Sequence, residues 1–314
     1  RAFDLKTGAL IWQVFAGPAQ DDSTTIGGGI AASGDLLYVT NGYPEVIAVK
    51  TADGSRVWRA PLPNPARAAP TVRAGQVYVT TLDNQIFALQ ANTGTQVWSY
   101  QGFEGGLGLL GAAAPAADDE LVVVPFSSGE VIALRPVNGA VAWSDNLSPA
   151  VHLGGAGGLA DMRALPLLDQ GQVISMTYAG RLVASDARTG MRVWQKDIGG
   201  PETPWLAGPY LFVLTGDQQV VALDRANGRV RWVVPLPAYE SPEDHTGPIT
   251  WTGPLYAGGR LLVASSEGHL LHLSPDTGKV LLDQDIGVTP AVPMLVAGHT
   301  LYILSDGGTL HAFE

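Results

Sequence analysis

The side chains best suited to moving a proton or holding a metal near neutral pH are six histidines: His152, His245, His269, His272, His299 and His311. Only His269 and His272 are close enough in sequence to suggest a shared ion. They lie three apart in a stretch that reads as a strand, so their side chains point to opposite faces. His269 reads as a polar surface residue and His272 as a substitute at a repeat position. The run Glu240-Ser241-Pro242-Glu243-Asp244-His245 sets carboxylates beside an imidazole, the parts of an acid–base pair. It falls in a long Pro-containing loop between repeats and reads as solvated. A Gly-x-Ser-x-Gly nucleophile motif is absent. Gly105-Gly106-Leu107-Gly108-Leu109-Leu110-Gly111 is glycine-rich, yet neither a following Lys nor a helix N-terminus is there to hold a phosphate. The chain has no cysteine, which excludes disulfides, thiolate metal sites and a Cys nucleophile. The expectation is no catalytic residue, no metal and no cofactor: a protein that is not an enzyme.

The elements are legible in a repeat. It opens as Ala2-Phe3-Asp4-Leu5-Lys6-Thr7-Gly8-Ala9-Leu10-Ile11-Trp12. An Ala, a Gly six residues on and a Trp four further recur at Ala48, Gly54 and Trp58, and at Ala88, Gly94 and Trp98. Three more copies are Ala133, Gly139, Trp143, then Ala184, Gly190, Trp194, then Ala222, Gly228, Trp232. A seventh keeps Asp276-Thr277-Gly278 but has His272 and Leu282 at the outer positions. Six of the eight tryptophans occupy this one place, which assigns them to packing between repeats rather than to a ligand.

Residues 68–103 show the content of one unit. Ala69-Pro70-Thr71-Val72 reads as a short strand of small residues, and Gln76–Thr80 and Gln85–Leu89 as β-branched and apolar strands. Thr95–Tyr100 is a fourth strand with alternating faces. Asn92-Thr93-Gly94 is a tight turn with glycine at positive φ. Four antiparallel strands in about 45 residues make a propeller blade. Complete units start near Gly27, Ala68, Ala112, Ala164, Pro204 and Ile249. Both chain ends carry a third-strand copy, Arg1-Ala2-Phe3-Asp4 and Leu310-His311-Ala312-Phe313. The expectation is therefore an all-β, eight-bladed β-propeller of four-stranded blades, lacking part of blade one and the closing strand. Its parts would be a partial blade at 1–16, blades near 27–62, 68–103, 112–147, 164–199, 204–237 and 249–288, and a partial blade at 290–314, all one domain. Seven blades with ordinary strand exchange is the alternative.

Composition agrees: among 314 residues there are 39 glycines and 22 prolines, with 46% hydrophobic and 15% charged residues, as many short strands and turns require. The formal net charge of −11 argues against phosphate-mediated nucleic-acid binding and against an anionic membrane surface. No run of 18 apolar residues is present to span a bilayer. The chain begins with Arg1 rather than an initiator Met and no signal peptide is visible in it, which suggests cleavage or a start inside a longer protein.

Two connections are longer than a blade needs, Gln101–Ala114 with Leu107, Leu109 and Leu110 among glycines, and Ser148–Arg163 with His152, Asp161, Met162 and Arg163. Both fall at the same end of adjacent blades. Apolar residues on Gly-flanked loops are candidate protein contacts, with packing onto the propeller as the alternative.

The unit seen intact at Ala2–Trp12 resembles the tryptophan-docking repeat of pyrroloquinoline-quinone-type propellers. Over essentially its whole length the chain is similar to the BamB family. The likeness is carried by Leu107-Gly108-Leu109-Leu110-Gly111 leading into Ala114-Pro115, by Leu159-Ala160-Asp161-Met162-Arg163 leading into Leu165-Pro166, and by Ser305-Asp306-Gly307-Gly308-Thr309-Leu310. That resemblance implies a scaffold lipoprotein of the outer-membrane β-barrel assembly (BAM) complex, at the periplasmic face of the bacterial outer membrane. It would be tethered by a lipidated Cys outside this chain. It implies a contact with a POTRA domain of BamA through the positions Leu107, Leu109, Leu110, Asp161 and Arg163, and assistance to unfolded outer-membrane proteins. Leu110 stands where the family often has Arg, and Arg163 where it has a second Asp. The quinoprotein dehydrogenases share the repeat, but the alcohol dehydrogenases among them carry adjacent cysteines that this chain lacks. A peptide- or polysaccharide-binding propeller would need an aromatic platform, for which Tyr43, Tyr178, Trp205, Tyr239 and Trp251 are spare.

Overall fold

The computed structural model describes residues 1–17, 28–66, 68–103, 113–148 and 162–314. The described residues form seven β-propeller blades, six of four strands and one of three. Blades 1 to 7 span residues 29–61, 71–101, 116–146, 167–196, 205–235, 251–285 and 295–313. Within each, the strands lie side by side in chain order. The expected eight blades are thus corrected to seven. That count took both chain ends as blades. The N-terminal end contributes only Ala2–Phe3 paired with Leu10–Trp12, a two-stranded sheet without the inner strands that make a blade. So short a ribbon is not stable alone. It docks on blade 1, where the Trp12 indole N–H donates to the Thr51 carbonyl at 2.9 Å.

The chain divides into two compact units. The first comprises residues 1–175 and 185–191, the second residues 176–184 and 192–314. In the first, the buried faces of blades 1 and 2 meet through Tyr38, Val46 and Trp58 against Val77, Val79 and Phe87. Blades 2 and 3 meet through Tyr78, Ile86 and Trp98 against Val122, Ile132 and Leu134. In the second, Phe212, Leu214 and Val220 of blade 5 pack on Leu261, Val263 and Leu273 of blade 6. Blade 6 packs on blade 7 through Leu262, Leu270, Leu301 and Ile303. Each fully buried Leu, Ile, Val or Phe contributes about 1.5–3 kcal/mol, so a sheet unstable alone is held by its neighbours.

The repeated residues perform one piece of packing. In the first copy, the Asp4 carboxylate accepts the Lys6 and Thr7 amides and the Thr7 hydroxyl, which shapes the turn; these bonds from Thr7 hold Asp4 below the usual carboxylate range. The turn glycine of the following blade lies flat under the tryptophan. A Cβ on Gly94 would sit 2.6 Å from Trp58, and one on Gly139 2.8 Å from Trp98. The indoles of Trp58, Trp98, Trp143, Trp194 and Trp232 donate to the carbonyls of Ala91, Pro136, Ala187, Arg225 and Pro275. A β-bulge precedes the ring. Ala48 pairs Trp58 while Val49 pairs Arg56, leaving Val57 as the extra residue. The same slip leaves Val97, Ala142, Arg231 and Leu281 extra in blades 2, 3, 5 and 6.

Candidate docking segments and their roots

The two long connections follow the outer strands of blades 2 and 3, and their described roots are fixed by one turn. That turn joins the second and third strands of blade 3, at Phe126–Glu130. On one side, Asn84 accepts from the Ser127 amide and hydroxyl at 3.2 and 2.9 Å and donates its side-chain N–H to the Phe103 carbonyl at 2.9 Å. The Phe103 amide donates to the Glu130 carboxylate at 3.2 Å, and the Gly102 amide to the Asn84 carbonyl at 2.9 Å. On the other side, the Leu147 amide donates to the Gly129 carbonyl at 2.8 Å, and the Ser148 hydroxyl to the Ser128 carbonyl at 2.9 Å. Gly102–Phe103 and Leu147–Ser148, the last described residues before the two connections, therefore lie at neighbouring points on blade 3.

Of the predicted contact residues, Leu107, Leu109, Leu110 and Asp161 lie outside the described residues. Arg163 is exposed, between Met162 and Ala164, which are both buried. Sequence reasoning did not single out Asn84, Ser127 and Glu130. Asn84 sits in a turn with φ of +59°, and its bonds to a second blade have no local signature in the sequence.

Of the histidines, His152 lies outside the described residues. His269 pairs with Asp283 at 2.9 Å on blade 6, and hydrogen bonding to that carboxylate raises its pKa above the usual imidazole value. His272 is half-buried, and burial, with Arg260 adding to it, lowers its pKa. Glu240–His245 lies in a hairpin rather than an irregular loop: Tyr239 pairs Pro248 and Ser241 pairs Thr246, with His245 at positive φ closing the turn. Among the described residues, no group of three or more His, Asp or Glu is placed to hold a metal. Of the spare aromatics, Trp251 is buried and donates to the Pro237 carbonyl at 2.8 Å, so it is lost to any exposed platform.

Tryptophan-docked sheets repeated along the chain define a β-propeller, and solved structures share it. A europium-containing methanol dehydrogenase superposes with a TM-score of 0.65 at 14% identity, over 90% of this chain and 72% of that one, which shows the fold alone. BamB from Moraxella catarrhalis superposes with a TM-score of 0.79 at 22% identity, covering 92% of this chain and 84% of that chain. In sequence, the outer membrane protein assembly factor BamB of Yersinia pestis is 26% identical over 319 residues, the whole of this chain and 79% of that protein. The family model described as outer membrane protein assembly factor BamB matches residues 1–234 and 240–314. The chain belongs to the BamB family.

Proposed function

We propose that this protein is a non-enzymatic scaffold subunit of the outer-membrane β-barrel assembly complex. It docks on the periplasmic POTRA region of BamA and assists the insertion of outer-membrane proteins. It works as one propeller domain over residues 1–314, on the periplasmic face of the outer membrane, held there by an N-terminal lipid. The docking residues are Leu107, Leu109, Leu110, Asp161 and Arg163.

Family membership supports the assembly role. The observation that carries the docking is the common anchorage of the two segments. Because the Phe126–Glu130 turn holds both roots, the segments start from adjacent, rigid points, as a two-part contact surface needs. Leucines presented from such a base bury in a partner at about 1.5–3 kcal/mol each. The test is the double variant Leu107→Asp, Leu109→Asp, titrated against BamA from the same organism. The expected result is at least about a tenfold loss of affinity, with an unchanged unfolding transition. Unaltered affinity would overturn the docking assignment.

A further inference from the structure

Phe103 combines two properties. Its side chain is 71% exposed, yet its backbone is tied on every side. Its N–H is bound by Glu130 and its C=O by Asn84, residues only 4% and 5% exposed. The preceding Gly102 is buried against Phe126, so closely that a Cβ there would meet the ring at 2.5 Å. Gly102 also donates its own N–H to Asn84. Single exposed apolar residues are ordinary on protein surfaces. Among the described residues, other strongly exposed ones such as Leu5, Val137 and Met191 stand at the repeat turns, and the equally exposed Phe15 follows the N-terminal ribbon. Phe103 instead stands at the root of a candidate docking segment, on a main chain already fixed.

We propose that Phe103 is an anchor residue of the partner contact, an aromatic ring offered to an apolar pocket of the same POTRA surface, with Asn84 and Glu130 as its positioning residues. This rests on the docking reading above. An aromatic side chain has few rotamers to lose. A fixed backbone removes the remaining ordering cost of binding, and these are the properties of interface hot spots.

The test measures association of the full chain with detergent-solubilised, full-length BamA by biolayer interferometry. Phe103→Ala is expected to weaken affinity about tenfold or more, and Phe103→Trp to hold it within about threefold, both with a wild-type melting transition. Phe103→Ala within twofold of wild type, while the Leu107→Asp, Leu109→Asp variant loses binding, overturns this inference and leaves the docking reading standing. A wild-type chain that fails to bind BamA overturns both. Glu130→Gln, which retains an oxygen acceptor, is expected to bind like wild type. Glu130→Ala is expected to slow association and to speed hydrogen exchange at the Phe103 amide. Faster exchange with an unchanged association rate overturns the positioning role; a Glu130→Ala variant that does not fold leaves Phe103→Ala to decide.

Discussion

Gly94 and Gly75 have nearly the same backbone, with φ of +72° and +76°, but different surroundings. A Cβ on Gly75 meets nothing within 4 Å, whereas one on Gly94 runs into the Trp58 indole. Gly75→Ala should therefore cost about 1 kcal/mol of backbone strain. Gly94→Ala should cost about 1–3 kcal/mol more, because the indole must lift from its seat. Urea unfolding of the two variants checks the difference, and equal losses would mean that the dock is slack. His269 offers a second measurement. Its folded pKa lies above the ordinary 6.5, through hydrogen bonding to Asp283. The pair's contribution is thus complete below the unfolded value and disappears as pH rises through the folded one. Both side chains are about half exposed, so the effect is small and screened by salt. An NMR titration should place the His269 midpoint above 6.5 and that of His272 below it, and Asp283→Asn should bring His269 down. The tryptophan positions were readable from spacing alone, since one residue type recurred at one offset. The bonds that fix Phe103 were not, because Asn84 and Glu130 come together only when blades 2 and 3 stack.

Among the elements, the third strands are continuous apolar runs, because each blade buries one face against each neighbour, and the outer strands alternate. The connection at 239–248 shows neither pattern. Its Pro, Glu and Asp content gives no periodicity, yet it folds into a hairpin whose base is closed by the Ile249 amide donating to the Ala238 carbonyl at 2.9 Å. Most of its residues are exposed, and the matched family stretch is interrupted at 235–239 beside it. Replacing residues 239–248 with an Asn-Gly turn should leave the unfolding free energy within about 1 kcal/mol of the parent, since little apolar surface is lost. Thermal unfolding followed by circular dichroism tests this. A larger loss would show that the hairpin supports the Trp251–Pro237 bond at its foot.

For the whole molecule, the fold class was written in the repeat and the blade number was not. The count turned on whether two chain ends, each bearing a third-strand copy, make a blade apiece. Strand number per sheet answers that question, and sequence offsets do not report it. Similarly, the −11 charge argues against classes of partner without choosing one. The extra residue inserted before the tryptophan position in blades 1, 2, 3, 5 and 6 has a further effect on how these molecules behave in a crowd. An outermost strand is ordinarily a template onto which any extended polypeptide can zip. Here the rhythm of donors and acceptors is broken at the second residue of that strand, so a passing chain finds only the few residues beyond it in register. A bulge of this kind is one of the devices by which edge strands are made poor templates for fibril-like stacking, and five blade rims carry it as a single inserted residue.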